Sequence, residues 1–367
     1  MVKVMKVRSV FESFVPYEWE ISSEEVAKMA NIPVEEVLRL DTNTSPFVPK
    51  KWLRKLSEVL PTLQVNQYPD TRYPELLDKI CNYAGVKEDY VVITNGADEG
   101  IDIVSKTFID YGDRVIISAP TYSMLKISSQ LSGGKVIEVP RKISNYEDDV
   151  EYIIETCNKE KANLIFLCNP NNPTGNFTEI EKIKSIVEET DSWVVVDEAY
   201  YEFCGKSALN LISKYPNLVI IRTLSKAFSL AGARIGYLLA NEETVKKLNL
   251  VRPPNSLTVI SIKLGAMALS DIEQMREWVK EIVNERERCY SFLNSMKKIE
   301  AYPSETNFIL FRVMGLDANV VHKRLFSKGI CVRNLSNVKG IENCLRVSVG
   351  TREQNEKFLQ ELDNIIK

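Results

Sequence analysis

The chain has 367 residues, with 47 Lys and Arg against 50 Asp and Glu, and a formal charge of -3. Its 44% hydrophobic and 26% charged content suits a globular protein large enough for one sizeable domain and a smaller one. Without a basic block it has no electrostatic footing for nucleic acid, and no stretch approaches the roughly 20 apolar residues of a membrane span.

The first 14 residues, MVKVMKVRSVFESF, alternate apolar and basic positions and never build an apolar run of signal-peptide length. Ser22 and Ser23 before Glu25 read as the N-cap of an amphipathic helix, and LDTNTSPFVPK reads as an extended loop. A helical pattern follows in KKWLRKLSEVL, then a turn at QYPDTRYP and a helix near 75–84. From there the pattern becomes strand, turn, helix, repeatedly. The strands are VVIT (91–94), RVIIS (114–118), KVIEV (135–139), NLIFLC (163–168), WVVVD (193–197), LVIIR (218–222) and IGYLLA (235–240). Such alternation predicts an α/β fold: a mostly parallel seven-stranded sheet with helices on both faces and ligands beyond the strands' carboxyl ends. A long charged helical stretch, 259–298, leads into short strands mixed with helices, a smaller α+β domain. The division expected is 46–258 for the large domain, 259–367 for the small one, and 1–45 as a segment joining the small one.

The seven cysteines, at 81, 157, 168, 204, 289, 331 and 344, form no CxxC pair, which points to reduced thiols in the cytoplasm and to no metal site. The single histidine, His322, reads as a helix-surface residue.

Three motifs sit at strand ends. Asn169-Pro-Asn-Asn-Pro-Thr-Gly175 is a tight turn whose prolines and Asx groups fix the backbone. Asp197, closing an apolar strand, needs a cationic partner, either a local Lys or Arg or a ligand's ring nitrogen; Tyr200 lies three residues on. Thr94-Asn-Gly-Ala-Asp-Glu-Gly100 joins a strand to a helix N-terminus and makes an anion cradle, with neither a GxGxxG nor a P-loop pattern. Lys226 follows a buried strand; burial lowers an amine's pKa, and the neutral form attacks aldehydes. Arg234, with Ser225 and Thr223, supplies charge-assisted donors for a phosphate. An amine, a carboxylate for a ring nitrogen, polar donors and a phosphate cradle are the requirements of pyridoxal 5'-phosphate.

These segments resemble the fold-type I (class I/II) aminotransferases, PLP-dependent transferases of the aspartate aminotransferase-like fold, and among them the histidinol-phosphate aminotransferases. TNGADEG, APTY, CNPNNPTG, VVVDEAYYEF, RTLSKAFSLAGARIGY, SETNFIL and CLRVSVGTRE occur in that family's order, from about residue 40 to residue 354. The resemblance implies that Lys226 forms the Schiff base with pyridoxal 5'-phosphate and shuttles the proton. It pairs Asp197 with the pyridine nitrogen, gives the phenolic oxygen to Tyr200 and Asn172, and stacks Tyr122 on the ring. Ala97 and Asp98 (through their backbone), Thr223, Ser225 and Arg234 would hold the phosphate. Tyr68 would reach the cofactor of a neighbouring subunit, making a homodimer. Arg346 and Arg333 would hold the substrate's anionic end, with Tyr17 and Asn43 closing over it.

The implied reaction moves an amino group between glutamate/2-oxoglutarate and imidazole acetol phosphate/L-histidinol phosphate, in histidine biosynthesis. An aromatic-amino-acid aminotransferase and a phosphothreonine decarboxylase share the scaffold; a non-catalytic ligand-sensing domain would need a DNA-binding module that the first 40 residues do not provide. Two departures touch the substrate side: Asn43-Thr-Ser-Pro46 replaces the family's NENP, and Asn255 follows Arg252-Pro-Pro where a tyrosine is frequent.

Overall fold

A computed structural model describes residues 6–12 and 14–367; the opening of the alternating N-terminal stretch, residues 1–5, lies outside them. Twelve strands occur among the described residues: β1 (Leu38–Leu40), β2 (Val91–Thr94), β3 (Arg114–Ala119), β4 (Lys135–Pro140), β5 (Leu164–Cys168), β6 (Trp193–Asp197), β7 (Leu218–Thr223), β8 (Gly236–Leu239), β9 (Ile299–Ala301), β10 (Phe308–Val313), β11 (Ile330–Asn334) and β12 (Cys344–Ser348). Seven form one sheet in the order β2-β8-β7-β6-β5-β3-β4, and five form another in the order β1-β11-β12-β10-β9.

In the larger sheet only β8 runs antiparallel to its neighbours. Its central strands are apolar at nearly every position because both faces are covered. The two-residue repeat of a strand sorts them: Ile165, Leu167, Val194 and Val196 enter one core, while Leu164, Phe166 and Val195 enter the core on the opposite face. Each such side chain contributes on the order of 1.5–3 kcal/mol when fully buried. The seven strands read from pattern over residues 91–240 are thus found, each end to within a residue.

The smaller sheet takes β1 from the N-terminal segment and pairs it parallel to β11. Its core joins Leu38, Phe311 and Leu345 to Leu293 of the helix Ile272–Ser295 and Phe358 of the helix Arg352–Ile366. The helical stretch expected over 259–298 is two helices, Val259–Leu269 and Ile272–Ser295. Asp271 sits at the break, where its carboxylate accepts from Lys51 Nζ (2.8 Å) and Trp52 Nε1 (2.9 Å) and is drawn away from capping its own helix. His322 lies on the helix Ala318–Phe326, half-buried, and burial lowers its pKa. No helix among the described residues is long and apolar enough to cross a membrane.

Candidate active site

Strands β3, β5, β6 and β7 end at the same edge of the large sheet, and a cavity of about 580 Å³ opens there toward the small sheet. Its walls bring together Tyr17, Asn43, Ala97, Asp98, Tyr122, Asn172, Tyr200, Thr223, Ser225, Lys226, Arg234, Arg333 and Arg346. Asp197 lies in the wall behind Ala199 and Cys168, which do line the cavity.

Asp197 is 3% exposed. One carboxylate oxygen accepts from the Ala199 N–H at 3.1 Å, and the other is 4.0 Å from Cys168 Sγ. Burial pushes the carboxyl up to about 7, against the pull of the Ala199 bond. No Lys or Arg nitrogen among the described residues lies within 4.0 Å, so the local ion pair considered from sequence is not made. The neighbouring Glu198 points through the opposite face of the sheet. There it takes Arg222 in a buried ion pair of 2.9 Å, with Ser207 and the Ala208 N–H completing its shell. Strand alternation explains why one of two adjacent carboxylates is neutralised by protein and the other is left facing the ligand side.

Lys226 is half-buried and lines the cavity; its Nζ donates to the Thr42 carbonyl at 3.4 Å and lies 5.7 Å from the Tyr200 ring centre. Burial, then the positive charges of Arg346 and Arg234, lower its pKa to about 8 against the pull of Asp98 and Asp197. The Tyr200 hydroxyl accepts from Asn43 Nδ2 at 3.1 Å, and its ring meets Phe308 edge-on at 5.3 Å. Asn43 adopts φ 53°, a left-handed conformation that asparagine tolerates. It is itself fixed by Ser348 Oγ (3.2 Å) and through its carbonyl by Asn307 Nδ2 (3.0 Å).

The helix Gly96–Phe108 aims its N-terminus at the cavity. A Cβ at Gly96 would fall 2.6 Å from Arg234 Nη2, and one at Gly236 would fall 2.5 Å from the Gly96 carbonyl carbon. Gly96 thus lets the guanidinium approach the helix start closely, and Gly236 lets β8 lie against that same start. Arg234 reaches Asp98 Oδ2 at 3.1 Å, and Tyr122 donates to Asp98 Oδ1 at 2.9 Å. Thr223 Oγ1 bonds Ser225 Oγ at 2.9 Å. The Asp98 side chain thus organises the cradle, whereas the sequence suggested a role only for its backbone.

Arg346 is buried. It donates from Nη1 to Asn172 Oδ1 (2.5 Å) and from Nη2 to the Asp41 carbonyl (2.7 Å), leaving Nε without a partner. Burial lowers its pKa. Arg333 bonds Glu20 Oε1 at 3.0 Å and Glu18 Oε2 at 3.4 Å. Tyr17 donates to the same Glu20 oxygen at 3.0 Å, and burial, reinforced by that carboxylate, raises its pKa. Sequence reasoning did not single out Glu18, Glu20, Thr42, Asn307 or Ser348. Asn307 and Ser348 lie in segments that carried the family resemblance, SETNFIL and CLRVS, and that was the available signal.

Two residues stand apart. Tyr68 is 84% exposed and lines a separate hollow of about 410 Å³ with Gln67, Asp70 and Tyr73. Of the two departures, Thr44 lines the cavity but Asn255 is exposed and does not; its loop packs beside the Tyr68 turn, where Tyr73 Oη donates to the Pro254 carbonyl at 3.2 Å.

A helix start with a guanidinium set close against it, a buried carboxylate without a cation among the described residues and an amine of lowered pKa fit a ligand with a phosphate, a cationic ring nitrogen and an aldehyde. Residues 35–362 match the family model for class I and II aminotransferases. A histidinol-phosphate aminotransferase of Caldanaerobacter subterraneus subsp. tengcongensis is 39% identical over 94% of this chain and 98% of its own. That of Methanocaldococcus jannaschii is 34% identical over 98% of each. Among solved structures, the histidinol-phosphate aminotransferase of Sinorhizobium meliloti in complex with pyridoxal-5'-phosphate superposes with a TM-score of 0.88 at 24% identity, covering 100% of this chain and 98% of that one. The L-threonine-O-3-phosphate decarboxylase of Porphyromonas gingivalis shares the fold at a TM-score of 0.79 and 21% identity, over 90% of this chain and 99% of that one.

Proposed function

Because the chain belongs to the class I and II aminotransferase family, we propose that it is a histidinol-phosphate transaminase using pyridoxal 5'-phosphate. It moves an amino group between glutamate/2-oxoglutarate and imidazole acetol phosphate/L-histidinol phosphate, in histidine biosynthesis. Relatives of 34–39% identity support this over the decarboxylase reading, whose support is a shared fold. Bound in the cavity, the cofactor supplies an aldehyde for the amine and an electron-withdrawing ring for the substrate's Cα–H bond.

The chain's residues do the rest. Lys226 Nζ is the group for the aldehyde and afterwards the base that takes and returns the Cα proton; a pKa lowered to about 8 leaves part of it neutral near pH 7. Asp197 is the counter-anion for the ring nitrogen. At an effective dielectric of 20, a carboxylate about 3 Å from a cation gains on the order of 5 kcal/mol, enough to keep both groups charged. Tyr200 and Asn172 hold the phenolic oxygen, and Tyr122 covers the ring. Ala97, Asp98, Thr223, Ser225 and Arg234 form the phosphate cradle. Arg346 and Arg333 take the substrate's anionic end, with Tyr17 and Asn43 over it.

The reading includes a large domain over 46–258, a small one over 259–367 joined by 1–45, a cytoplasmic location, and a homodimer in which exposed Tyr68 serves the neighbouring subunit. The observation that carries it is Asp197, buried and without a cation among the described residues, beside an amine of lowered pKa. A half-reaction panel tests it: histidinol phosphate, glutamate, phenylalanine and phosphothreonine are each offered to the holoenzyme and its visible spectrum followed. Histidinol phosphate and glutamate should react fastest; an inert histidinol phosphate beside a reactive phenylalanine would overturn the substrate assignment.

A further inference from the structure

Arg333 and Arg346 occupy opposed positions on the paired strands β11 and β12, so two guanidiniums share the cavity's anion end. Arg346 is committed inward to Asn172 and Asp41, and its Nε has no partner among the described residues. Arg333 is held by a carboxylate of the chain itself. Glu20 Oε1 accepts from both Arg333 Nη1 and Tyr17 Oη, each at 3.0 Å. Glu20 is three-quarters buried, whereas Glu18, at 3.4 Å, has 81% of its side chain in solvent and is screened. The strap carrying both, residues 14–22, contains neither helix nor strand. Arg39 Nη1 anchors it by donating to the Ile21 carbonyl at 2.5 Å.

We propose that Glu20 is a built-in counter-anion that sorts ligands by charge: it stays on Arg333 when a monoanion binds Arg346 alone, and yields when a phosphate dianion engages both arginines. The proposal rests on the assignment of the two arginines to the substrate's anionic end. Charge counting carries it. Two arginines less one carboxylate leave one positive charge, the complement of a single carboxylate; releasing Glu20 leaves two, the complement of a phosphate ester. One guanidinium fork satisfies a carboxylate, whereas the further oxygens of a phosphate call for the second. The same anion end can then hold one carboxylate of an amino acid and a phosphate ester in turn, each matched in charge at that end. Glu20 is a specificity-determining residue on this reading, acting through Arg333.

The test uses holoenzyme, so that the cofactor's own cradle is filled, titrated with inorganic phosphate and with propionate by calorimetry, with Trp19 fluorescence as a reporter of the strap. Glu20→Gln should tighten phosphate binding by up to about fivefold, the ceiling for a partly exposed ion pair. Propionate should stay within about twofold, and Glu18→Gln should leave both ligands within about twofold. Glu20→Ala should repeat the phosphate gain. In turnover, KM for the phosphate-bearing substrate should fall while kcat moves less, and KM for glutamate should hold. Unchanged or weaker phosphate binding in both Glu20 variants, or an equal gain for propionate, overturns the proposal. A wild-type holoenzyme inert to histidinol phosphate, with the phosphate gain still present in both Glu20 variants, would sink only the substrate assignment.

Discussion

Asp197 and Lys226 each pay for burial in the cofactor-free chain, and they do so with opposite signs. The amine's folded pKa, about 8, lies below its ordinary 10.5, so its contribution to stability is present above 10.5 and is lost as pH falls through 8. Cofactor-free Lys226→Met should therefore be more stable than wild type at pH 7 by about 1–3 kcal/mol, with the gap closing toward pH 10.5. Chemical denaturation across that range checks it; a gap that widens with pH would contradict the burial of the amine. Asp197→Asn keeps the shape but cannot balance a ring cation. Cofactor affinity, measured by dialysis and fluorescence, should fall by at least about two orders of magnitude.

At the scale of the element, the strand ends matter because each must pass a polar side chain to the cavity while its neighbour is buried behind. Behind β6 and β7 lies a second polar group: Glu202 accepts from Tyr83 Oη at 3.3 Å, and its other oxygen has no partner. Burial lifts its carboxyl to about 8. Because the folded pKa exceeds the ordinary 4.5, the stability it contributes is full below 4.5 and is lost as pH rises through 8. Glu202→Gln lacks that slope, so its thermal midpoint relative to wild type should rise between pH 6 and 9. Gly236→Ala, whose Cβ meets the Gly96 backbone, should cost about 1–3 kcal/mol and loosen phosphate binding in the cradle.

Glu198 shows that a polar residue ending a strand can also turn to the far face, but the cofactor-side residues gathered at the cavity were legible because most of them follow an apolar strand that ends there. Glu18, Glu20 and Thr42 were not, since they sit in irregular segments where no periodicity says which way a side chain faces. The helix break at Asp271 was hidden for a related reason: its cause, Lys51 and Trp52, lies about 220 residues away in sequence.

Over the whole molecule, Asn43 joins Arg346 in tying the two sheets together. Asn43 bonds Tyr200 at the edge of the large sheet, Ser348 within the small one and Asn307 beside it. Asn43→Ala removes the side-chain bonds to Tyr200 and Ser348, keeps the one its main-chain carbonyl accepts from Asn307, and places alanine at φ 53°, so stability should fall by about 2–4 kcal/mol and Tyr200 should lose its donor. Sedimentation should find a dimer whose cofactor affinity drops on Tyr68→Phe; a monomer of full activity would remove Tyr68 from the site.

The most direct measurement is borohydride reduction of the holoenzyme followed by peptide mapping. A phosphopyridoxyl group should be found on the peptide bearing Lys226; its attachment to another lysine, or to none, would contradict the site described above.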